Sequence, residues 1–273
     1  MSVHVCRAAG RRVRRRWQRR PRRVRFSTLL LLALPALGRA DALSNEIDVF
    51  TGSIAAAGAF NVTLHDYYVA DSRRTAESSG GPKPDHSLTG GTEWAYGAAP
   101  WLELGVYAPI YTLSAGEGYF DGAEIRAMLV TPAGGRRFLY GLNVALELNS
   151  AVWDPHRRSL ELRPVLSWRY GPWRLSANPI VESDLNGLSG TQFSPAERLD
   201  YTMSQCWQIG LEEYAEDTGP IRRPRPLRAQ NQRLFAIADV TRGHWTIEPG
   251  LGIGLTQGSD RMTLKLLLSR DWP

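Results

Sequence analysis

Large apolar residues alternate with small or polar residues along most of the chain after residue 59. One example is the C-terminal stretch from Trp245 to Trp272, which a turn-rich tetrapeptide at 257–260 divides into two alternating halves. Successive side chains of a β-strand point to opposite faces, so each half is predicted to be a strand with one apolar face. The same period of two recurs upstream, most regularly over residues 137–149. The pattern therefore predicts an all-β protein.

We count about eleven alternating segments, and because bacterial barrels have an even number of strands, ten or twelve is the expected range if the sheet closes. Residues 71–84, 182–200 and 217–228 are predicted to be long loops, since they are polar or proline-rich. Residues 232–240 are predicted to be a weaker strand whose facing is ambiguous. Short turns and long loops stop alternating near the third loop, which leaves the sides of the loops unassigned.

The first 42 residues differ in composition from the rest of the chain. They contain twelve arginines, one aspartate, the apolar run Leu29 to Leu34 and an A-x-A sequence at residues 40–42. This order is typical of a secretory signal. We therefore predict a cleaved signal peptide over residues 1–42 and one mature domain over residues 43–273. Cleavage after Ala40 and a basic nucleic-acid-binding arm are the alternatives.

The signal-peptide interpretation changes the meaning of the net charge. The whole chain carries +6, but without its first 42 residues the charge is −5. A nucleic-acid partner is therefore not expected. Beyond the signal there is no run of about 18 apolar residues, so no membrane-spanning helix is predicted.

Two architectures are compatible with strands that are apolar on one face. In a soluble sandwich the apolar face turns inward, whereas in a membrane barrel it faces lipid and the polar face lines the lumen. The polar faces here combine small residues with charges of both signs, and most predicted strands carry a glutamate near the middle. Tryptophans lie mostly at strand ends, which is typical of aromatic girdles at the two membrane interfaces. We therefore predict a single antiparallel transmembrane β-barrel of ten to twelve strands after the cleaved signal peptide.

The barrel interpretation assigns three sets of residues to the lumen, the lipid face and the interfaces. The predicted lumen charge network consists of Glu93, Glu103, Glu124, Arg126, Glu147, Glu161, Arg163, Arg174, Glu212, Glu248 and Lys265. The predicted lipid-facing residues are Leu142, Val144, Leu146, Leu251, Ile253, Leu264, Leu266 and Leu268. The predicted interface girdle consists of Trp101, Trp168, Trp173, Trp245 and Trp272. The lumen charges are either salt bridges that fill a small barrel or the lining of a narrow polar channel.

Residues that could support catalysis or metal binding are few. The histidines of the mature chain, His65, His86, His156 and His244, show no metal-ligand spacing. The sequence contains no GxSxG motif, and the adjacent His86 and Ser87 would point to opposite faces of a strand. We therefore predict no metal, no cofactor and no catalytic residue.

Several segments resemble a known family. They are GLGIGLTQGSDRMTLKLLL at 250–268, the stretch Trp101–Tyr107, the segment Leu142–Glu147 and the tripeptide Ala177–Pro179. The chain resembles the outer-membrane barrels similar to the MetA-pathway phenol-degradation proteins, over most of residues 46–272. The resemblance implies an outer-membrane barrel and the passage or binding of small hydrophobic or aromatic compounds. One departure is that Pro273 follows the last aromatic residue, whereas such barrels usually end in an aromatic that the assembly machinery reads.

These observations predict an outer-membrane barrel that acts as a channel, transporter or binder of small solutes. Its expected partners are outer-membrane lipid, the barrel-assembly machinery and a small-molecule solute. Two alternatives remain, a structural barrel without a transport role and a lipid-modifying barrel enzyme.

Overall fold

The computed structural model describes residues 47–74, 82–132, 137–150, 158–185 and 190–272. Residues 1–42, which include the predicted signal peptide, lie outside the described residues. Within the described residues the chain forms twelve barrel strands and a short 3-10 turn at Leu227–Ala229. The strands are β1 Phe60–Asp71, β2 Leu88–Ala99, β3 Leu102–Ser114, β4 Glu117–Val130, β5 Phe138–Asn149, β6 Arg158–Tyr170, β7 Trp173–Asn178 with Val181–Ser183, β8 Gln192–Phe193 with Ala196–Thr202, β9 Trp207–Glu216, β10 Asn231–Arg242, β11 Trp245–Gly254 and β12 Met262–Trp272.

Each strand pairs antiparallel with its two neighbours in sequence, and the sheet closes because β1 also pairs with β12. Phe60 at the start of the first strand lies opposite Trp272 at the end of the last. A closed sheet has no unpaired edge, so every strand completes its ladder of backbone hydrogen bonds. The prediction of an all-β, closed antiparallel barrel of ten to twelve strands is confirmed.

The strand that the sequence analysis missed is β8, which occupies much of the predicted loop at 182–200. Prolines interrupt both this strand and its neighbour, Pro179 inside β7 and Pro195 inside β8, because proline cannot donate to the ladder. The alternation in β8 is also unusual, since Arg198 and Asp200 point inward and leave Leu199 and Tyr201 to define the outer face. Because β8 consists largely of charged residues, the sequence analysis did not recognise it as a strand.

The twelfth strand restores the alternation of connections. At one end of the barrel, which we call the turn end, the connections span residues 100–101, 131–137, 171–172, 203–206 and 243–244, beside the start of β1 and the end of β12. At the other end, the loop end, they span residues 72–87, 115–116, 150–157, 184–191, 217–230 and 255–261. The loops could not be assigned to sides from the sequence because one strand was absent from the count.

The two faces of the wall have inverted polarity compared with a soluble protein. Leu266 is 41% exposed on the outer surface, whereas the adjacent Lys265 is only 3% exposed on the inner surface. This inversion extends around the wall, with Leu251 and Ile253 exposed outside and Glu212 fully buried inside. In water such an outer surface would be an apolar patch far larger than soluble monomers tolerate.

Residues 47–59, which we call the inner segment, run inside the barrel before β1 begins. Ile47 and Val49 pack with the inward-facing Phe235 and Ile237 of β10. The backbone N–H of Phe50 donates to Asn178 Oδ1 at 2.7 Å, and Asn178 Nδ2 donates back to the Phe50 carbonyl at 3.0 Å. These contacts explain why the facing of β10 was ambiguous in the sequence, since this strand buries apolar side chains inside the barrel.

Candidate functional site

The candidate site is the inner wall of the barrel together with the inner segment. The structure places all eleven residues of the predicted lumen charge network on this wall, where ten are buried or hydrogen-bonded to buried partners and Glu124 is half-buried. They fall into three groups, which are described in turn.

The first group surrounds Arg126 on β4. Its Nε donates to Glu93 Oε1 at 2.6 Å, and its Nη2 donates to the same oxygen and to Glu103 Oε1 at 2.8 Å. Glu103 Oε2 accepts the backbone N–H of Ala55 at 2.6 Å, which fastens the inner segment to the wall. Gly105 leaves the space, because a Cβ there would lie 2.8 Å from Arg126 Nε. The group therefore joins three strands and the inner segment.

The second group, which we call the compensated network, lies on β7 to β12 around Arg198. The Arg198 guanidinium donates to four carboxylates at 2.6 to 2.8 Å, those of Asp200, Glu212, Asp239 and Glu248. Lys265 Nζ lies 2.6 Å from Glu212 Oε2 and 2.7 Å from Glu248 Oε1. Arg174 Nε adds a hydrogen bond of 2.8 Å to Asp200. Three cations thus face four carboxylates.

The third group, which we call the acidic row, consists of Glu124, Glu147, Glu161 and Glu182 on four consecutive strands. Glu124 lies directly opposite Glu147 in the β4–β5 ladder, and Glu161 lies directly opposite Glu182 in the β6–β7 ladder. Arg163 lies on the same part of the wall and holds both oxygens of Glu161 at 2.9 Å. Like charges directly opposite each other destabilise a sheet. The row therefore places like charges opposite each other in two ladders of the wall.

Two cavities lie inside the barrel. The larger, which we call the vestibule, has a volume of about 670 Å³, and its lining reaches Trp272 at the turn end. The smaller, which we call the acidic cavity, has a volume of about 40 Å³ and is lined by the acidic row. Asp48 of the inner segment lines both. The inner segment therefore lies between the vestibule and the acidic cavity.

The inner segment also stacks on two cations of the wall. The Arg163 guanidinium carbon lies 4.4 Å from the centre of the Phe50 ring, and that of Arg126 lies 5.3 Å from it. The same ring packs with Met128, Val130 and Val165. These aromatic and cation contacts hold the segment across the lumen.

The outward sets are placed as follows. Leu142, Leu251, Ile253, Leu264 and Leu266 are exposed on the outer face, and Val144, Leu146 and Leu268 are half-buried on the same face. The girdle residues Trp101, Trp168, Trp173, Trp245 and Trp272 are exposed at the turn end.

The arrangement of tryptophans differs from the expectation of girdles at both interfaces. Six of the seven tryptophans of the described residues, including Trp207, lie near the turn end, whereas Trp94 lies near the middle of β2. Trp153 falls outside the described residues. Arg270 lies over two of the rings, with its guanidinium carbon 5.0 Å from Trp245 and 4.7 Å from Trp272. Six of the described tryptophans therefore form one ring.

Sequence reasoning missed the most connected residue of the interior. Arg198 and Asp200 lay in a predicted loop, and Asp239 lay on the strand with ambiguous facing. The inner segment was missed as well. The signal for it was present in the apolar residues Ile47, Val49 and Phe50 before the first strand, together with apolar residues on inward positions.

Among the described residues, no group of three or more histidine, cysteine, aspartate or glutamate side chains is arranged to hold a metal ion. His65 Nε2 lies 3.2 Å from Glu93 Oε2, and His86 Nδ1 lies 3.0 Å from the Tyr68 hydroxyl. His156 lies outside the described residues. In the described part of the chain no helix is long and apolar enough to span a membrane.

Two solved structures share this architecture. The crystal structure of the COG4313 outer membrane channel from Pseudomonas putida F1 matches with a TM-score of 0.55 and 15% identity, over 83% of this chain and 100% of that chain. The KdgM porin in complex with disordered oligogalacturonate matches with a TM-score of 0.51 and 10% identity, over 78% of this chain and 99% of that chain. No family model matches the sequence, and no curated protein matches it either. At these identities the similarity establishes the barrel fold.

Proposed function

We propose that the protein is an outer-membrane β-barrel that passes or binds small solutes through its lumen. The observation that carries the proposal is the inverted wall, in which exposed apolar side chains form the outer surface and ion-paired charges face a cavity-containing interior. A closed barrel satisfies all its backbone groups internally, which is the condition for crossing a bilayer with strands.

The outer surface supplies the lipid contacts in this proposal. The predicted lipid-facing leucines form the hydrocarbon-facing band, and the tryptophan ring marks one interface. Because short turns of such barrels lie on the periplasmic side, the turn end and its tryptophans are assigned to the periplasmic interface. Lipid and the barrel-assembly machinery are the corresponding partners.

The interior supplies the solute path. The vestibule combines the charged side chains of Arg126 and Arg198 with apolar side chains of the inner segment, namely Val49, Phe50 and Ile54. The apolar part is consistent with the small hydrophobic or aromatic compounds implied by the resemblance to the phenol-degradation proteins. The two solved barrels, one a channel and the other a porin, support the proposal at the level of the fold.

The membrane part of the proposal is tested by expressing the full chain and separating outer membrane from periplasm. We expect the protein in the outer-membrane fraction, with a folded band in detergent gels that changes mobility on boiling. A periplasmic protein without this heat-dependent shift would overturn the proposal.

A structural barrel is the second candidate, and the inner segment favours it because the vestibule and the acidic cavity share only Asp48 in their linings. Planar-bilayer conductance of the purified protein separates the two. We expect stepwise current for the channel, and a closed trace at every voltage for the structural barrel. The enzymatic alternative predicts lipid turnover by the same preparation, which a lipid-hydrolysis assay detects.

A further inference from the structure

Positive charge is concentrated in the connection between β9 and β10 at the loop end, residues 217–230, which we call the basic loop. Its four arginines fall within residues 222–228, and they are Arg222, Arg223, Arg225 and Arg228. The one acidic residue of the loop is Asp217, and its Oδ2 lies 3.4 Å from Nη2 of Arg74, a cation outside the loop. The loop is therefore strongly positive.

Three of these arginines are exposed and have no ion-pair partner. The side chains of Arg222, Arg223 and Arg228 make no hydrogen bond or ion pair with any described residue. In contrast, Arg261 at the same end of the barrel is ion-paired with Asp71 at 3.3 Å. The basic loop thus presents guanidinium groups that the described part of the chain does not neutralise.

Exposed apolar side chains accompany the arginines. Ile221 is 51% exposed and Leu227 is 52% exposed. The backbone N–H of Ile221 donates to the carbonyl of Thr191 at 2.8 Å, which places Ile221 beside the start of β8. There Phe193 is 41% exposed on the outer face of the barrel. Cations beside apolar side chains are the combination that binds a lipid surface.

Backbone hydrogen bonds hold the basic loop in one shape. The Arg225 N–H donates to the Thr218 carbonyl at 2.6 Å, and the Gly258 N–H donates to the Arg228 carbonyl at 3.0 Å. Prolines at 220, 224 and 226 fix further backbone angles. A loop that is already ordered loses little conformational freedom when it binds a partner.

From these features we propose that the basic loop binds the phosphate groups of lipid head groups, with Ile221 and Leu227 against the hydrocarbon part of the lipid. The planar guanidinium group donates two parallel N–H bonds to a phosphate, which an arginine does better than a lysine. The identity of the lipid rests on the proposed function, because insertion into the outer membrane places the loop end in the outer leaflet. The phosphate-bearing lipid of that leaflet is lipid A.

Lipid binding by the folded full chain in nonionic detergent tests the proposal. The protein is mixed with phosphorylated lipid A or with lipid A stripped of its phosphates, and bound lipid is counted by native mass spectrometry. We expect at least about fivefold more of the phosphorylated form to bind, because the guanidinium groups need an anionic acceptor. Equal binding of the two forms would overturn the proposal.

Inorganic phosphate at the same phosphate concentration distinguishes a lipid from a free anion. We expect lipid A to stay bound, since the apolar contacts add to the charge interaction. Complete displacement would show that the loop recognises the free anion, and would overturn the lipid assignment. Ile221→Ser combined with Leu227→Ser should weaken the binding of lipid A, and unchanged binding would overturn the apolar contact.

Two triple variants with the same change of charge locate the site. The loop variant combines Arg222→Gln, Arg223→Gln and Arg228→Gln. The turn-end variant is the control, and it combines changes at three exposed arginines of the opposite end, Arg137→Gln, Arg169→Gln and Arg242→Gln. We expect the loop variant to lose the preference for phosphorylated lipid A and the turn-end variant to retain it. A preference that persists in the loop variant, or is lost equally in both, would overturn the assignment.

Heat-dependent gel mobility shows whether each variant is folded, and if the loop variant does not fold, the comparison of the two lipids with the unmodified protein still decides. Membrane fractionation separates failure of this proposal from failure of the proposed function. A heat-modifiable barrel in the outer membrane that binds both forms of lipid A equally would overturn the phosphate site alone. A periplasmic chain without the mobility shift would overturn the barrel function and the lipid site together.

Discussion

The charged side chains are arranged differently on the two sides of the lumen wall. In the compensated network, Arg198 alone donates to four carboxylates, and Arg174 and Lys265 supply further positive charge. In the acidic row, Glu124 lies opposite Glu147 and Glu161 lies opposite Glu182, and Arg163 holds both oxygens of Glu161. One side of the barrel thus gathers carboxylates around shared cations, and the other places carboxylates opposite each other in the ladder.

The difference assigns a separate role to each side. A buried charge network fixes the strands it connects, although its net contribution to stability is limited by desolvation. Like charges that lie opposite each other in a ladder cost stability. We therefore interpret the compensated network as the part of the wall that joins strands and the acidic row as a part that weakens the sheet.

The largest effect is expected from Arg198→Met, which leaves four carboxylates without their shared partner. Removing one member of a buried ion pair costs about 3–5 kcal/mol, so we expect unfolding in urea at much lower concentration. Arg174→Met is the matched control. Arg174, near the vestibule, donates to only one of the four carboxylates, Asp200, so its loss should cost less. Equal losses in the two variants would show that Arg198 has no special place in the compensated network.

The outer face provides a second, independent comparison on a single strand. Leu266→Arg places a charge near the middle of the proposed hydrocarbon band and should cost about 2–4 kcal/mol, whereas Met262→Arg at the loop end should cost about 0–1 kcal/mol. Both positions point outward on β12. Unfolding from lipid vesicles measures the two costs, and a flat profile along the strand would argue against lipid around the barrel.

A smaller loss of stability is expected from Phe50→Ala, because this change releases the inner segment and leaves the barrel wall in place. The ring lies over Arg163 and Arg126, so its removal should open a path between the vestibule and the acidic cavity. We expect a larger single-channel conductance than in the unmodified protein. A current of unchanged size would show that the inner segment does not limit the flow.

The smallest effect on stability is expected from neutralising single glutamates. The change in stability should have opposite signs on the two sides of the wall. Glu147→Gln removes one of two like charges that oppose each other in the ladder and should stabilise the barrel by about 0.2–1 kcal/mol. Glu212→Gln removes an acceptor of Arg198, Lys265 and Tyr214 and should destabilise it. Chemical unfolding monitors both, and changes of the same sign would show that the two sides are equivalent.

Much of the fold could be predicted from the sequence because a barrel wall imposes a period of two on every strand. Trp245 to Trp272 showed this period on both sides of a turn, and the structure places its two halves as the last two strands. The alternation did not identify the facing of a strand where an inward position was apolar, as at Phe235. It also did not identify a short strand in which charges dominated, as at Arg198. Both failures have one cause, since side chains inside a barrel are selected by their partners across the lumen.

The candidate site could be predicted as a set of inward charges but not as a pairing. The alternation places Glu147 and Glu212 on the inward face with the other predicted lumen charges. It does not show which glutamate pairs with a cation. That depends on the register between strands, which puts Glu124 opposite Glu147, and on contacts across the lumen, such as that between Arg198 and Asp239. The inner segment also required the structure, because its few apolar residues carry no period.

The inverted wall is the central claim, and tryptophan quenching by brominated phospholipid tests it most directly. Six of the seven described tryptophans lie in one ring near the turn end, Trp94 lies near the middle of β2, and all seven are exposed. After reconstitution, we expect lipids brominated near the head group to quench the fluorescence more strongly than lipids brominated near the bilayer centre. Fluorescence that neither lipid quenches would show that the apolar face does not meet the bilayer, and would contradict the account.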